Sequence, residues 1–305
     1  MNTLLGPDMA VAVAYGLNVL LTVTSIAVAA LIAARSVLRH DASARYVVCL
    51  TSLVSILLAP ILIASTRTDQ FGLVVCVLPV VAASQQAPTV AFTAFTSPPM
   101  TAQLPKRQPM GRVPNLLLAI WATGAACGGV RLASGWRTAI RLRQSARPLS
   151  AGVYASALEH VQRTLGSVVT PIFTSEHVMA PVAVGLLKPV VILPKGLPEA
   201  LTPAQLRHVL LHEYAHVVGR HAVGGIVQRL AGLLFWPHPL VVALCRGLAR
   251  AREEVCDNVA SQEDGAICYA RTLLAVAQGF SIAPHYAAAL GLLGSEISLE
   301  QRINA

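Results

Sequence analysis

Three long stretches without a charged residue constrain the fold of this chain most strongly. They cover residues 9–34, 46–66 and 113–130, and contain 26, 21 and 18 residues. A helix of about 20 apolar residues crosses the roughly 30 Å hydrocarbon core of a bilayer. The sequence therefore predicts three transmembrane helices, at about 9–34, 46–66 and 113–131.

The overall composition agrees with a membrane protein. Apolar residues make up 55% of the chain and charged residues only 12%, whereas soluble domains carry about 25% charged residues. Such high hydrophobicity excludes an intrinsically disordered chain. It also argues against an ordinary cytosolic enzyme, because too few charged groups are present to solvate its surface.

The distribution of charge predicts the orientation in the membrane. Residues 1–150 hold 12 Lys and Arg against 3 Asp and Glu, whereas residues 151–305 hold 11 of each kind. Arginines directly follow the first and third apolar stretches, and basic residues mark cytoplasmic segments. We therefore expect an extracytoplasmic N-terminus, an extracytoplasmic loop at 67–112 and a cytoplasmic second half. Because the arginines border apolar runs, we expect no direct nucleic-acid binding.

The second half has the turn signals of a folded domain. The β-branched runs Val182–Val184 and Val190–Leu193 predict two strands, and Gly185–Lys188 between them predicts a hairpin. Together with helical spacing elsewhere, these signals predict a mainly α fold. Residues 1–148 would form a multi-pass helical membrane segment, and residues 149–305 a cytoplasmic α+β domain.

Prolines mark two further segments of this domain. Thr202 and Pro203 predict a helix start, with threonine as the N-cap and proline in the first turn. Pro237 and Pro239 interrupt an apolar segment at about 226–246. That segment is either a broken fourth membrane helix or a helix lying against the bilayer, and the sequence leaves both interpretations open.

The helix predicted after Thr202 contains an HExxH pattern, His212-Glu213-Tyr-Ala-His216. Residues four apart share one face of a helix, so both imidazoles can reach a single Zn²⁺. Glu213 lies one step round the helix, where its carboxylate can take a proton from a water without binding the metal. We therefore predict one zinc per chain, with His212 and His216 as ligands and Glu213 as the catalytic base.

A catalytic zinc needs a third protein ligand. The HExxHxxGxxH pattern is excluded because Ala222 occupies its last position, and His208 is expected to support or pack rather than bind. Glu253 and Asp257 are four apart on a predicted helix. Glu253 can therefore bind zinc while Asp257 hydrogen-bonds a ligand histidine. The alternative for Glu253 and its neighbour Glu254 is a solvated helix face, salt-bridged to Arg250 and Arg252.

The order of three motifs resembles the BlaR/MecR-type membrane zinc metallopeptidases. They are PVAVGLLKPVVILP at 181–194, the HExxH pattern, and REEVCD at 252–257. The resemblance covers about residues 1–300 and implies Glu253 as the third zinc ligand. It also implies a protein substrate, such as a transcriptional repressor or the peptidase itself. The family usually has an aspartate where this chain has His221. The chain shows no penicillin-binding sensor domain, so β-lactam sensing is not expected.

Two alternative functions stay open. Membrane proteases of the HtpX or CaaX-processing kind, which serve quality control, also combine HExxH with a later ExxxD, although the GLLKPVVILP stretch favours the BlaR/MecR type. A non-enzymatic membrane signalling scaffold belongs to a different class.

Substrate binding is predicted at the strand that precedes the active-site helix. An edge strand beside the metal can pair with an extended peptide through backbone hydrogen bonds. Val190, Val191 and Ile192 are the residues predicted to form this edge.

Overall fold

The computed structural model describes residues 7–65, 112–166 and 170–279. They are mostly helical, with three helices suited to a membrane and one small sheet, which confirms the predicted combination of membrane helices with an α+β domain. The predicted extracytoplasmic loop at 67–112 lies outside the described residues except for Arg112, where a helix begins.

The first three helices are α1 (Pro7–Arg35), α2 (Ala42–Ser65) and α3 (Arg112–Ser145). Each contains a segment long and apolar enough to cross a bilayer: Ala12–Arg35, Ala42–Ser65 and Asn115–Ser145. The helix α3 continues 14 residues beyond the end predicted at 131. No proline or other break follows the apolar part, so the arginine-rich stretch stays helical.

The rest of the described chain forms β1 (Arg147–Pro148), α4 (Ala151–Leu165), β2 (Ile172–Ser175), β3 (Val182–Val184), β4 (Val190–Pro194), α5 (Leu197–Ala200), α6 (Pro203–Val218), α7 (His221–Leu234), α8 (Pro239–Ser261) and α9 (Gly265–Gly279). The helix predicted after Thr202 is therefore present as α6. The apolar segment at 226–246 is divided between α7 and α8, with a turn at 235–238.

One predicted feature of the sheet is wrong. The strand order is β1-β2-β4-β3, with β2 parallel to β4 and β3 antiparallel to it. The predicted β3–β4 hairpin is present, but Val190, Val191 and Ile192 lie on an interior strand, where at most 2% of each is exposed. The edge of the described sheet on that side is β3. The error arises because β2, which is not adjacent to β4 in the sequence, pairs with the other side of β4. The spacing of residues within a single strand does not reveal this pairing.

Two apolar clusters hold the helices around the HExxH segment. One packs α4, β4, α6 and α9 together through fully buried residues such as Val161, Leu193 and Leu210. The other joins α1 and α2 to α7 and α8, with Leu53 and Leu244 at its centre. Because α6 also packs against α8, the helices that carry the predicted zinc ligands lie where the two clusters meet.

Candidate metal centre

The start of α6 is fixed by a capping box. The Thr202 hydroxyl accepts a hydrogen bond from the Gln205 backbone N–H at 3.3 Å, and the Gln205 side chain accepts one from the Thr202 N–H at 3.0 Å. This arrangement satisfies two N–H groups that the helix leaves unpaired, and Pro203 in the first turn has none to satisfy. The local sequence thereby sets the register of the HExxH residues two turns further on.

The two histidines and Glu253 converge on one point. On α6, His212 Nε2 and His216 Nε2 lie 3.2 Å apart. The Glu253 carboxylate reaches them from α8, at 3.7 Å from His212 Nε2 and 3.9 Å from His216 Nε2. A tetrahedron with zinc–ligand bonds of 2.0–2.2 Å has edges of about 3.3–3.6 Å. The three distances lie within about 0.3 Å of these edges, so small shifts of the side chains would let these three groups, whose chemistry suits zinc, hold one ion.

Glu254, the residue next to Glu253, points away from the two histidines. The Glu254 carboxylate forms an ion pair with Arg45 at the start of α2. By contrast, only 5% of Glu253 is exposed, and its carboxylate also accepts a hydrogen bond from Arg252 Nε at 3.3 Å. The interpretation of the acidic group as a solvated, salt-bridged face thus applies to Glu254 and not to Glu253.

Asp257 lies behind His212, as the ExxxD spacing predicts. Its Oδ1 is 3.0 Å from His212 Nδ1, and it also accepts a hydrogen bond from the Tyr269 hydroxyl at 2.7 Å. The same hydroxyl lies 3.1 Å from His212 Nδ1. A proton on Nδ1 facing Asp257 leaves the Nε2 lone pair of His212 free for a metal. Tyr269 comes from α9, and no motif in the sequence singles it out.

His221 supports the second histidine in a similar way. Its Nδ1 lies 3.0 Å from His216 Nδ1 and 3.5 Å from Cys256 Sγ. A Cβ at Gly219 would lie 2.5 Å from His221 Nε2, so glycine is required there for the ring to fit. Arg220 adopts a left-handed conformation, with φ 48°, which turns the chain from α6 into α7. Gly219 itself is right-handed, so its role is close approach rather than a left-handed cap.

His216, His221 and Cys256 form a second group with metal-ligand chemistry. Its donors include Nδ1 of His216, whereas Nε2 of the same ring faces His212 and Glu253. Burial and the nearby carboxylates raise the pKa of the Cys256 thiol. Because His216 turns Nε2 toward His212 and only Nδ1 toward His221, we interpret this second group as the support of His216.

His208 lies apart from the centre. Its Nδ1 is 2.9 Å from the Thr272 hydroxyl, and its Nε2 is 2.8 Å from Asp264. The ring therefore ties α6 to α9 and to the loop that precedes it. This placement agrees with the packing role expected from the sequence.

The protonation states in the centre suit metal binding. Burial lowers the pKa of His216 well below its usual value, against the opposing charge of Glu253. Burial and the charge of Arg252 lower the pKa of His221 to about 4. Burial alone would raise the pKa of Glu253, but the neighbouring His212, His216 and Arg252 hold it below its usual value. Neutral imidazoles and an ionised carboxylate are the forms that bind zinc.

In a comparison with known protein families, the family described as "BlaR1 peptidase M56" matches residues 17–305. No curated protein matches the chain significantly.

Proposed function

Because this chain belongs to the BlaR1 peptidase M56 family, and is thus a membrane-associated metallopeptidase, we propose that it is an integral-membrane zinc endopeptidase that cleaves a protein in signal transduction. His212, His216 and Glu253 hold the zinc, and Glu213 is the catalytic base. The observation that carries this proposal is the convergence of His212 Nε2, His216 Nε2 and the Glu253 carboxylate, whose separations of 3.2–3.9 Å come close to the edges of a tetrahedral zinc site.

Different groups perform the separate steps of the proposed reaction. Zinc in such a centre polarises the scissile carbonyl and makes water a better nucleophile. The Glu213 carboxylate takes the proton of the attacking water and then delivers it to the leaving amine nitrogen. Only 7% of Glu213 is exposed. This burial limits protonation of the Glu213 carboxylate by bulk water.

Two residues orient the first histidine. The Asp257 carboxylate accepts the proton of His212 Nδ1, and the Tyr269 hydroxyl donates to the same carboxylate. This pair fixes both the tautomer and the tilt of the ring. Supporting partners of this kind change metal affinity by roughly 10–100-fold when they are removed.

The edge of the sheet suggests how a substrate is held. Val191 on β4 donates its N–H to Pro171 O on the β2 side, at 3.1 Å, so its backbone groups do not face β3. Ala183 is its partner on β3, and the two form a non-hydrogen-bonded pair. The Ala183 N–H and C=O therefore face the open edge of β3. Since β3 packs against α6, we propose that an extended substrate pairs with the backbone of Ala183.

The family resemblance supports a protein substrate, such as a transcriptional repressor or the peptidase itself, either of which would reach a cytoplasmic centre. The HtpX or CaaX-processing kind of protease would use the same ligands, whereas a signalling scaffold would not need Glu213.

Metal removal and return test the proposal. Protein purified in detergent should contain about one zinc per chain, and His216→Ala should lose most of it. Chelation should abolish the cleavage of labelled casein, and added Zn²⁺ should restore it. A wild-type protein that folds, retains no zinc under these conditions and is insensitive to chelators would overturn the proposal.

A further inference from the structure

The helices α7 and α8 form a hairpin whose outer end is apolar. Residues 230–245 contain no Asp, Glu, Lys or Arg, and Arg229 and Arg246 border this stretch, one on each helix. The chain reverses at residues 235–238, before Pro239 begins α8. We use the name hairpin tip for residues 230–245. The helical part of the tip is five residues long on α7 and seven on α8, so the turn lies about 8–10 Å beyond the two arginines.

The contact between the hairpin tip and α1 indicates how deep the tip lies in the bilayer. His238 Nε2 is 3.1 Å from the Thr24 hydroxyl of α1. Thr24 precedes Arg35, the first charged residue after the apolar run, by 11 residues, which corresponds to about 16 Å along a helix. Half of the roughly 30 Å hydrocarbon core is about 15 Å. This contact therefore places the tip near the middle of the bilayer.

Contact with α3 gives the same depth independently. Trp121 Nε1 donates to Leu234 O at 2.9 Å, and Trp236 Nε1 donates to Trp121 O at 3.3 Å. Trp121 precedes Arg131 by 10 residues, or about 15 Å of helix. Gly124 leaves room for the Trp236 ring, since a Cβ there would collide with it. Among the described helices, α3 packs most extensively against α7 of this hairpin.

The polar groups of the turn are paired within the protein. His238 Nδ1 accepts a hydrogen bond from the Val241 N–H, and His238 N–H donates to Phe235 O. Because Nδ1 is an acceptor, His238 carries its proton on Nε2, and this N–H donates a hydrogen bond to the Thr24 hydroxyl. The Thr24 hydroxyl in turn donates a hydrogen bond to Leu20 O. A break in a helix is tolerated in lipid only where neighbouring groups satisfy the freed backbone. This turn meets that requirement.

The outward surface of the tip is apolar. Leu230, Leu234 and Trp236 are 38%, 41% and 39% exposed, and they lie at the depth where α1 and α3 are apolar. Exposed apolar side chains at this depth are suited to contact with lipid acyl chains rather than with water.

We propose that residues 229–246 form a re-entrant membrane hairpin that enters the bilayer from the side of the zinc ligands and turns at 235–238 near its midplane. A full fourth span is excluded because α8 returns to the starting level, where Glu254 pairs with Arg45. A helix lying on the surface is excluded by the Thr24 and Trp121 contacts. The hairpin thus holds Glu253 at the membrane surface, beside the start of α2.

Depth-dependent fluorescence quenching tests the proposal. A variant with Trp236 as its only tryptophan (Trp121→Phe, Trp136→Phe) is reconstituted in vesicles of brominated phosphatidylcholine. Bromine near the end of the acyl chain should quench Trp236 more strongly than bromine near the headgroup. The matched control keeps Trp136 instead, which is 55% exposed on the arginine-rich part of α3, and neither lipid should quench it strongly. Equal patterns for the two variants, or stronger quenching of Trp236 by shallow bromine, would overturn the proposal.

Cysteine labelling provides a second measurement that does not depend on removing tryptophans. In a Cys76→Ser, Cys127→Ser, Cys268→Ser background, Leu234→Cys should not react with a membrane-impermeant maleimide until the vesicles are denatured in detergent. Ile267→Cys on α9, where the native side chain is 72% exposed, should label at once in protein solubilised without denaturation. Prompt labelling of Leu234→Cys in intact vesicles would place the tip in water. Zinc content like that of the wild type shows that each variant is folded.

Discussion

At the residue scale, the centre depends on a division of work between adjacent acidic residues. Glu253 and Glu254 follow one another on α8 and therefore point about 100° apart around the helix. Glu253 faces the two α6 histidines, whereas Glu254 faces Arg45 of α2. In the proposed site, Glu253 binds the metal and Glu254 holds α8 to the membrane helix α2.

This division predicts different results for two alanine variants. Glu253→Ala should reduce zinc affinity by more than the roughly 100-fold that loss of a supporting partner causes, because it removes a ligand. Glu254→Ala should keep about one zinc per chain and lose about 0–1 kcal/mol of stability, as expected for a partly exposed ion pair. Zinc content and thermal unfolding of the two proteins check this. Loss of zinc from Glu254→Ala alone would show that the ligand has been assigned to the wrong residue.

The sequence identifies the residues of the centre that belong to short motifs. His212, Glu213 and His216 are fixed by spacing within one helix, and Asp257 by its spacing from Glu253. Tyr269 reaches Asp257 from a helix that begins eight residues later, and nothing in its local sequence marks it. The contact of His221 with His216 depends on the tight turn at Arg220, which spacing alone does not predict.

At the scale of elements, the position of each strand in the sheet decides what it can bind. The interior strand β4 uses its backbone groups on both sides, whereas β3 has one open edge. Local sequence predicts both strands and the hairpin between them. Sheet order depends on the parallel pairing of β2 with β4, whose residues are about 20 apart, so it could not be deduced from either strand.

Proline substitutions on the two strands should therefore differ. Ala183→Pro removes an N–H that faces the open edge, so peptide cleavage should fall at least about tenfold, a cost near 1.4 kcal/mol, while zinc content is kept. Val191→Pro removes the N–H that donates to Pro171 O within the core and should unfold the domain, with loss of zinc. Both quantities are measured on the same preparations. If Ala183→Pro cleaves at the wild-type rate, the substrate does not pair with this edge.

At the scale of the whole molecule, the membrane helices and the metal centre form one packed unit. Arg45 and Tyr46 at the start of α2 contact α8 and His221, through the Glu254 ion pair and a 5.0 Å contact between rings. The centre is thus joined to the membrane segment by direct contacts and not by a linker. The sequence predicts the three apolar stretches, but these contacts between distant segments require the folded structure.

The arginines predict the orientation of this unit in the membrane. A reporter fused after Gln144 should be active only as a cytoplasmic reporter, and one fused at Gln86 only as an extracytoplasmic reporter. Paired fusions with alkaline phosphatase and a fluorescent protein check both sites. A cytoplasmic signal at Gln86 would contradict three crossings and would change the compartment assigned to the metal centre.

The central claim is that Glu213 acts as a base beside a zinc held by His212, His216 and Glu253. The most direct measurement determines zinc content and casein cleavage together for the wild type and Glu213→Gln. The amide keeps the shape of the side chain but cannot accept the proton. We expect about one zinc per chain in both proteins, with cleavage in the wild type reduced by at least about 100-fold in the variant. A Glu213→Gln protein that retains zinc and cleaves at the wild-type rate would contradict the account.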